Sequence, residues 1–217
     1  GKYLIFEFES SYYWVVHLRM EGKFHLYEEP TKKSKHTHLV IETTNYYVHY
    51  LDVRKFSRMA ITKDLDAYFT SKNLGPEPFE KGFNQSYLKK QLSHRSKAIK
   101  ACLLDQNIVA GIGNIYADEI LYACQLHPER PASSLGEKDY DCLIKHSREI
   151  LAEAIEAGGT TIRSYTSALN VTGRFQIALK AYGRYGQRCY RCQEEMKKVK
   201  VAGRTSSFCP QCQKEMG

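Results

Sequence analysis

Two cysteine pairs near the end of the chain, Cys189-x2-Cys192 and Cys209-x2-Cys212, stand sixteen residues apart. That is the spacing of a structural zinc site. Two thiolates two residues apart turn back on a tight knuckle, and two knuckles complete a tetrahedron around one Zn²⁺. Four sulfur ligands leave no open position for water, so such an ion holds structure and takes no part in chemistry. A redox dithiol is the competing reading of any single CxxC pair, but two pairs at this spacing fit it poorly. Between the pairs, Met196 to Val201 alternates, Ala202-Gly203 turns, and Thr205-Ser206-Ser207-Phe208 returns. The pattern predicts a β-hairpin with Arg204 at its tip and Lys197, Lys198 and Lys200 along one limb. Grooves of DNA admit such a ribbon; a solvated charged hairpin accounts for the same residues.

A second constellation is Gly111-Ile112-Gly113-Asn114, just before a helical pattern. It is not the dinucleotide fingerprint, because the third glycine is missing and helix rather than strand precedes it. Small residues at a helix start let backbone amides approach an anion, and the helix dipole assists. A nucleic-acid phosphate suits that slot, and a tight helix–helix turn is the plainer alternative. The formal net charge of +8 favours polyanionic partners, nucleic acid first and anionic membrane second.

The 217 residues are 42% hydrophobic and 26% charged, ordinary for a soluble globular chain. No run reaches the roughly eighteen apolar residues of a membrane span, and the opening residues do not read as a signal peptide. The seven cysteines are an odd number. Cys102, Cys124 and Cys142 fall in helical patterns and are expected to be small buried hydrophobes. No disulfide framework follows, and a reducing, cytoplasmic compartment is expected.

Three regions must position these groups. From Gly1 to about Lys72 the period is two, with strands expected in residues 2–6, 13–18, 23–27, 37–42 and 46–50, as a meander or sandwich. Gly75-Pro76-Glu77-Pro78 is a breaker cluster and the expected linker. Beyond it the pattern turns helical. Asn84 caps a first helix, Ser96 to Leu103 makes a second, and Ile115 to Cys124 a third. Ser134 and Glu137 form a capping box for a long helix burying Leu143, Ile144, Ile150, Leu151, Ala154 and Ile155. That helix stops at Gly158-Gly159, and residues 160–177 read as a polar loop.

Gly-Ile-Gly-Asn-Ile-Tyr-Ala-Asp-Glu (residues 111–119) followed by a four-cysteine finger resembles the formamidopyrimidine-DNA glycosylase and endonuclease VIII family. Gly1-Lys2-Tyr3-Leu4, His17-Leu18-Arg19-Met20-Glu21-Gly22 and Asp52-Val53-Arg54-Lys55-Phe56 extend the match over essentially the whole chain. The finger and Gly159-Thr160-Thr161 are closer to the formamidopyrimidine branch. The resemblance implies an α+β multidomain chain: a partial N-terminal β-sandwich (1–75), a helix–two-turn–helix domain with a lesion-capping loop (76–178) and a zinc finger (179–217).

The implied activity is base-excision repair. A bifunctional DNA glycosylase/AP lyase removes oxidised purines, 8-oxoguanine and formamidopyrimidines, from duplex DNA and nicks the abasic site, acting as a monomer. By the same resemblance Lys2 assists β-elimination, and Arg204 serves δ-elimination and phosphate binding. His36, Arg54, Arg95 and Asn114 take DNA-contact positions, and Met20, Arg54 and Phe56 fill the gap left by a flipped base. Arg163 to Phe175 would close over the extruded lesion. An apolar wedge replaces the stacking lost on extrusion; without the resemblance, Met20 and Phe56 read simply as core, and His36 and His38 as surface histidines on one strand face. The family's nucleophile is an N-terminal proline followed by a glutamate, and neither stands at Gly1-Lys2. The resemblance therefore implies a truncated, excision-inactive form of the enzyme; the alternative is a non-catalytic module binding damaged or duplex DNA.

Overall fold

The structure, a computed structural model, describes residues 1–159 and 179–215 and divides into two compact units. In the first, Lys2–Lys72, the strands are β1 (Leu4–Glu7), β2 (Tyr13–His17), β3 (Lys23–Tyr27), β4 (Thr37–Glu42), β5 (Tyr47–Leu51) and β6 (Arg58–Thr62), followed by helix α1 (Leu65–Thr70). They make two antiparallel three-stranded sheets, in the orders β1-β2-β6 and β3-β5-β4. Alternation sends Trp14, Phe24 and Tyr50 inward. The Trp14 and Phe24 ring centroids lie 5.7 Å apart and bridge the two sheets, and Tyr50, paired with Phe24 across β3 and β5, stands 5.4 Å from it. The register of β4 against β5 slips between Thr37 and Leu39. The bulged residue is His38, whose Nε2 lies 2.8 Å from the Asp52 carbonyl.

Two elements here depart from the sequence reading. Strand β6, where Met59 and Ile61 alternate with Arg58, Ala60 and Thr62, is not among the expected strands, and α1 interrupts a region expected to keep the strand period throughout. Six residues are too few to show a helical period; what makes α1 is its cap, with Asp64 Oδ1 accepting the Ala67 amide at 2.9 Å.

The second unit contains Asn73–Glu156 and the cysteine ribbon. Its helices are α2 (Gln85–Leu92), α3 (Ile99–Leu104), α4 (Asn114–Ala123) and α5 (Glu137–Glu156), and its hairpin is β7 (Lys197–Val201) with β8 (Arg204–Phe208). Asn84 caps α2 as expected, its Oδ1 accepting the Tyr87 amide at 3.0 Å. Leu88, Ile99, Leu103, Ile120, Leu121 and Leu143 form the heart of the core. The expected linker is bound to this unit: the Gly75 amide donates to Gln106 O and the Ala110 amide to Pro76 O. A Cβ on Gly75 would meet the Ile108 carbonyl oxygen at 2.4 Å, so only glycine allows this approach.

The expected capping box does not form. Ser134 ends a short 3-10 turn (Ala132–Ser134) and gives its hydroxyl to the Pro131 carbonyl at 2.8 Å. The first turn of α5 is capped instead by Asp139, whose Oδ2 accepts the Gly136 amide at 3.0 Å and Arg130 Nη2 at 2.9 Å. The expected face of α5 holds for Leu143 and Ala154 and, half-buried, for Ile144, Ile150 and Leu151. Ile155, however, is 70% exposed, since one step of about 100° carries it off the face that Ala154 buries. Gly158 and Gly159, at φ +72° and +85°, end the helix as expected. Of the three helical cysteines only Cys102 is buried; Cys124 and Cys142 are half-buried.

Candidate nucleic-acid interface and metal centre

The ribbon brings the four expected cysteines together, with their sulfurs all within 4.8 Å of one another. Cys192 Sγ lies 3.4 Å from both Cys209 Sγ and Cys212 Sγ, and Cys189 Sγ lies 4.0 Å from Cys212 Sγ. Four thiolates at 2.3 Å from one tetrahedral zinc ion stand about 3.8 Å apart, so the cluster fits the metal. Burial alone would push the Cys189 thiol up. Hydrogen bonds from the Tyr122 hydroxyl and the Cys192 and Arg191 amides bring it down to about 6, disposing it to ligate as a thiolate. The hairpin forms as expected, with Ala202 and Gly203 both left-handed at φ +48° and +74°. Arg204, exposed, leaves that turn as the first residue of β8.

Within the same unit, α4 carries the glycine turn. Gly113 precedes the helix with extended backbone and no side-chain cap, so the start of α4 offers its dipole to an anion. Gly111, at φ +93°, makes the reversal. Gln106, which the sequence gave no reason to single out, clamps it: its Oε1 accepts the Gly111 amide at 2.9 Å, and its Nε2 donates to Ile112 O at 3.0 Å. Asn114 Nδ2 donates to the Thr205 carbonyl at 3.2 Å, while its buried Oδ1 has no hydrogen-bond partner among the described residues. The turn and the start of β8, next to Arg204, thus meet. Arg95 is half-buried at the other end of α2, its Nε donating to Gln91 O at 2.6 Å.

Beneath this junction lies a polar network. The Lys100 ammonium, 0% exposed, is 2.6 Å from Asp118 Oδ1, itself 1% exposed, and 3.2 Å from Thr205 O. Asp118 also accepts the Ser206 hydroxyl at 2.6 Å and the Ser207 amide at 3.0 Å. Burial pulls the Lys100 ammonium down and pushes the Asp118 carboxyl up, and each partner's charge opposes this. Glu119 accepts three successive amides, Lys180, Ala181 and Tyr182, at 2.8, 2.9 and 2.8 Å. Its carboxyl is pushed up by burial and drawn back by those amides.

In the first unit, Lys2 lines a cleft of about 260 Å³ with His17 and Arg19. His17 accepts the Arg19 amide at Nδ1 and is held below its ordinary range by burial and by the charges of Arg19 and Lys2. The sequence placed His17 in a matching stretch without giving it a role. Met20 and Phe56 are 56% and 51% exposed, so neither is core. The Arg54 guanidinium sits 4.6 Å from the Phe56 ring centroid. In each of these loops one non-glycine residue, Arg19 or Lys55, adopts φ +55°. The two loops are joined by Ser57 Oγ donating to Leu18 O at 2.9 Å, and a Cβ on Gly22 would meet that Ser57 oxygen at 2.3 Å. His36 is half-buried, its carbonyl accepting the Asp52 amide.

Asp52 organises the loop that carries Arg54 and Phe56. It is buried and accepts the Arg54 and Ser57 amides at 3.1 and 3.0 Å and the Tyr50 hydroxyl at 3.0 Å. Burial would raise its carboxyl, but these donors prevail and hold it at about 2, against 3.8. A depressed carboxylate stabilises the fold above its unfolded pKa and loses that contribution as pH falls from 3.8 to about 2. Asp52→Asn is expected to cost about 2 kcal/mol at pH 7. Urea titrations should show the difference from wild type closing on acidification through that window, and a gap independent of pH would mean the carboxylate is not the source.

Arg163 to Phe175, expected to cap the lesion, lie outside the described residues. Two family models match: the formamidopyrimidine-DNA glycosylase N-terminal domain over residues 1–59 and the formamidopyrimidine-DNA glycosylase H2TH domain over residues 74–166. A formamidopyrimidine-DNA glycosylase of Ligilactobacillus salivarius is 47% identical over 216 residues, which are 98% of this chain and 78% of that protein. One from Lactococcus lactis subsp. lactis is 44% identical, over 99% of this chain and 79% of that protein. The Lactococcus lactis enzyme complexed with DNA containing an abasic site superposes with a TM-score of 0.93 at 42% identity, covering 99% of this chain and 80% of that one. MutM complexed with DNA containing carbocyclic 8-oxo-G gives 0.91 at 41% identity, covering 99% and 79%. With both domains matched and relatives this similar along almost its entire length, the chain belongs to the formamidopyrimidine-DNA glycosylase family of DNA glycosylases and AP lyases.

Proposed function

We propose that this chain serves base-excision repair of oxidised purines, 8-oxoguanine and formamidopyrimidines, in duplex DNA, with one structural Zn²⁺ in the ribbon. The observation that carries the reading is the junction of turn and hairpin: a helix start with no side-chain cap, an Asn114 side chain tied there to Thr205 O, and Arg204 beside it. Amides, amide side chain and guanidinium are the donors a phosphate needs. The solved complexes of relatives contain abasic-site and 8-oxo-G DNA, which supports the same partner here. Met20 and Phe56, exposed and apolar, would fill the stack left by an extruded base, and Arg54 would hydrogen-bond its orphaned partner. Lys2 supplies an amine for β-elimination, Arg204 a cation for the following elimination, and His36 and Arg95 further contacts. Residues 1–75, 76–178 and 179–217 divide these tasks as wedge and amine, phosphate turn, and metal-held hairpin.

The family's secondary amine and its neighbouring carboxylate are not among these 217 residues. The polypeptide made of these residues alone is therefore expected to bind an abasic-site duplex and leave 8-oxoguanine in place, since a nucleophile serves only within near-attack distance. Incubation with an 8-oxoguanine duplex and borohydride should trap no covalent adduct. A trapped adduct would put a nucleophile among these 217 residues. Binding should weaken steeply with salt, and Arg204→Ala should flatten the log–log slope by about one unit. A non-catalytic module for plain duplex would show the same slope with no preference for abasic or oxidised sites, whereas one for damaged DNA would keep that preference.

A further inference from the structure

Helix α4 presents Asn114, Asp118 and Tyr122 at successive steps of four, which places them on one face. All three side chains reach the ribbon. Asn114 meets Thr205, Asp118 holds Ser206 and Ser207, and the Tyr122 hydroxyl lies 3.3 Å from Cys189 Sγ. That last pair is sealed, with Tyr122 2% and Cys189 0% exposed. A buried phenol needs a partner, and a zinc-bound thiolate has no proton to give, so the tyrosine is the donor.

The knuckle answers from its side. Arg191, between Cys189 and Cys192, donates from Nη1 to Tyr122 O at 2.8 Å and from Nη2 to Ala123 O at 3.1 Å. Its guanidinium also lies 4.7 Å from the Tyr122 ring centroid. A cation at the carbonyl end of α4 suits the helix dipole. Metal knuckle and helix end therefore hold each other through two residues, one from each.

We infer that Tyr122 is an outer-shell positioning residue of the metal site, donating to the Cys189 thiolate and tying zinc occupancy to the helix whose opposite end carries the phosphate turn. The inference rests on the zinc reading proposed above. Outer-shell donors orient a ligand and are worth about 10–100-fold in metal affinity.

Tyr122→Phe keeps the ring under Arg191 and removes only the hydroxyl. In the full chain loaded with zinc, competition against a chromophoric chelator should show affinity lowered about tenfold. Iodoacetamide should alkylate Cys189 faster than in wild type, and Cys192, Cys209 and Cys212 less so. Tyr140→Phe, which removes the hydroxyl of another buried tyrosine, on α5, should leave both readouts unchanged. An equal effect in Tyr140→Phe would reduce the result to loss of stability and overturn the inference, as would unchanged zinc affinity in Tyr122→Phe. Should Tyr122→Phe fail to fold, 3-fluorotyrosine at position 122, a stronger donor of nearly the same shape, should tighten zinc binding, and no tightening overturns the inference. A wild-type chain that takes up no zinc would sink the zinc reading, and this inference with it.

Discussion

Removing zinc with excess chelator is expected to unfold the ribbon while α2–α5 keep their packing. The ribbon's own apolar core is small: Ala181, Met196 and the ligand cysteines Cys189 and Cys209, set against Tyr122. A two-stranded hairpin such as β7–β8 is marginal in water by itself. On the zinc reading proposed above, metal binding supplies the difference, on the order of 10 kcal/mol for a structural four-ligand site. The helices have an independent core built on Leu88, Ile99, Ile120 and Leu143. Zinc-free protein should therefore be cut by trypsin at Lys197, Lys198, Lys200 and Arg204 before the helical region is attacked. DNA affinity should fall in step and return when zinc is added back. A metal-free chain whose hairpin resists trypsin would show that the four cysteines do not hold the ribbon with a metal.

What the sequence disclosed about this region, and what it hid, follows from distance along the chain. The knuckles, the hairpin turn at Ala202-Gly203 and the Asn84 cap are set by neighbours a few residues apart, so spacing and residue type were enough to place them. Lys100 reads as one more surface lysine on a helix of ordinary composition. Its partners are Asp118 and, 105 residues away, Thr205. Asp118 looks like a routine helical acid until Ser206 arrives from 88 positions on. No local pattern announces a buried ion pair formed by three separate elements. Glu119 is hidden for the same reason, its three amides lying 61 to 63 residues away. The failed capping box shows the converse error: Ser134 and Glu137 have the right types and spacing, but the 3-10 turn claims the serine hydroxyl first. For Met20 and Phe56 the residues alone pointed to core, and their exposure excludes it.

Lys100→Met should be among the most damaging single substitutions outside the cysteines, costing about 3–5 kcal/mol at neutral pH. The methionine fills the space of the lysine stem, so the cost is not mainly a cavity. It comes from Asp118, left with a buried charge satisfied only by Ser206 Oγ and the Ser207 amide. Burial already pushes that carboxyl up, and the Lys100 charge is what opposes the push; without it the carboxyl rises further. A carboxyl raised in the folded state binds its proton more readily there than when unfolded. Stability of the variant should then improve as pH falls through the raised pKa toward the ordinary value of 3.8. Wild type lacks that gain to the same degree, so the gap between the two should narrow on acidification. Urea titrations at pH 7 and at successively lower pH measure it directly. The same substitution frees Thr205 O from Lys100 and loosens the start of β8, so duplex affinity should drop even where the variant remains folded. Adding Asp118→Asn to Lys100→Met should recover much of the lost stability by removing the stranded charge, whereas Asp118→Asn alone strands the ammonium. A cost below about 1 kcal/mol for Lys100→Met, typical of exposed pairs, would mean that water reaches this junction and that the pair does not hold the hairpin to the helix.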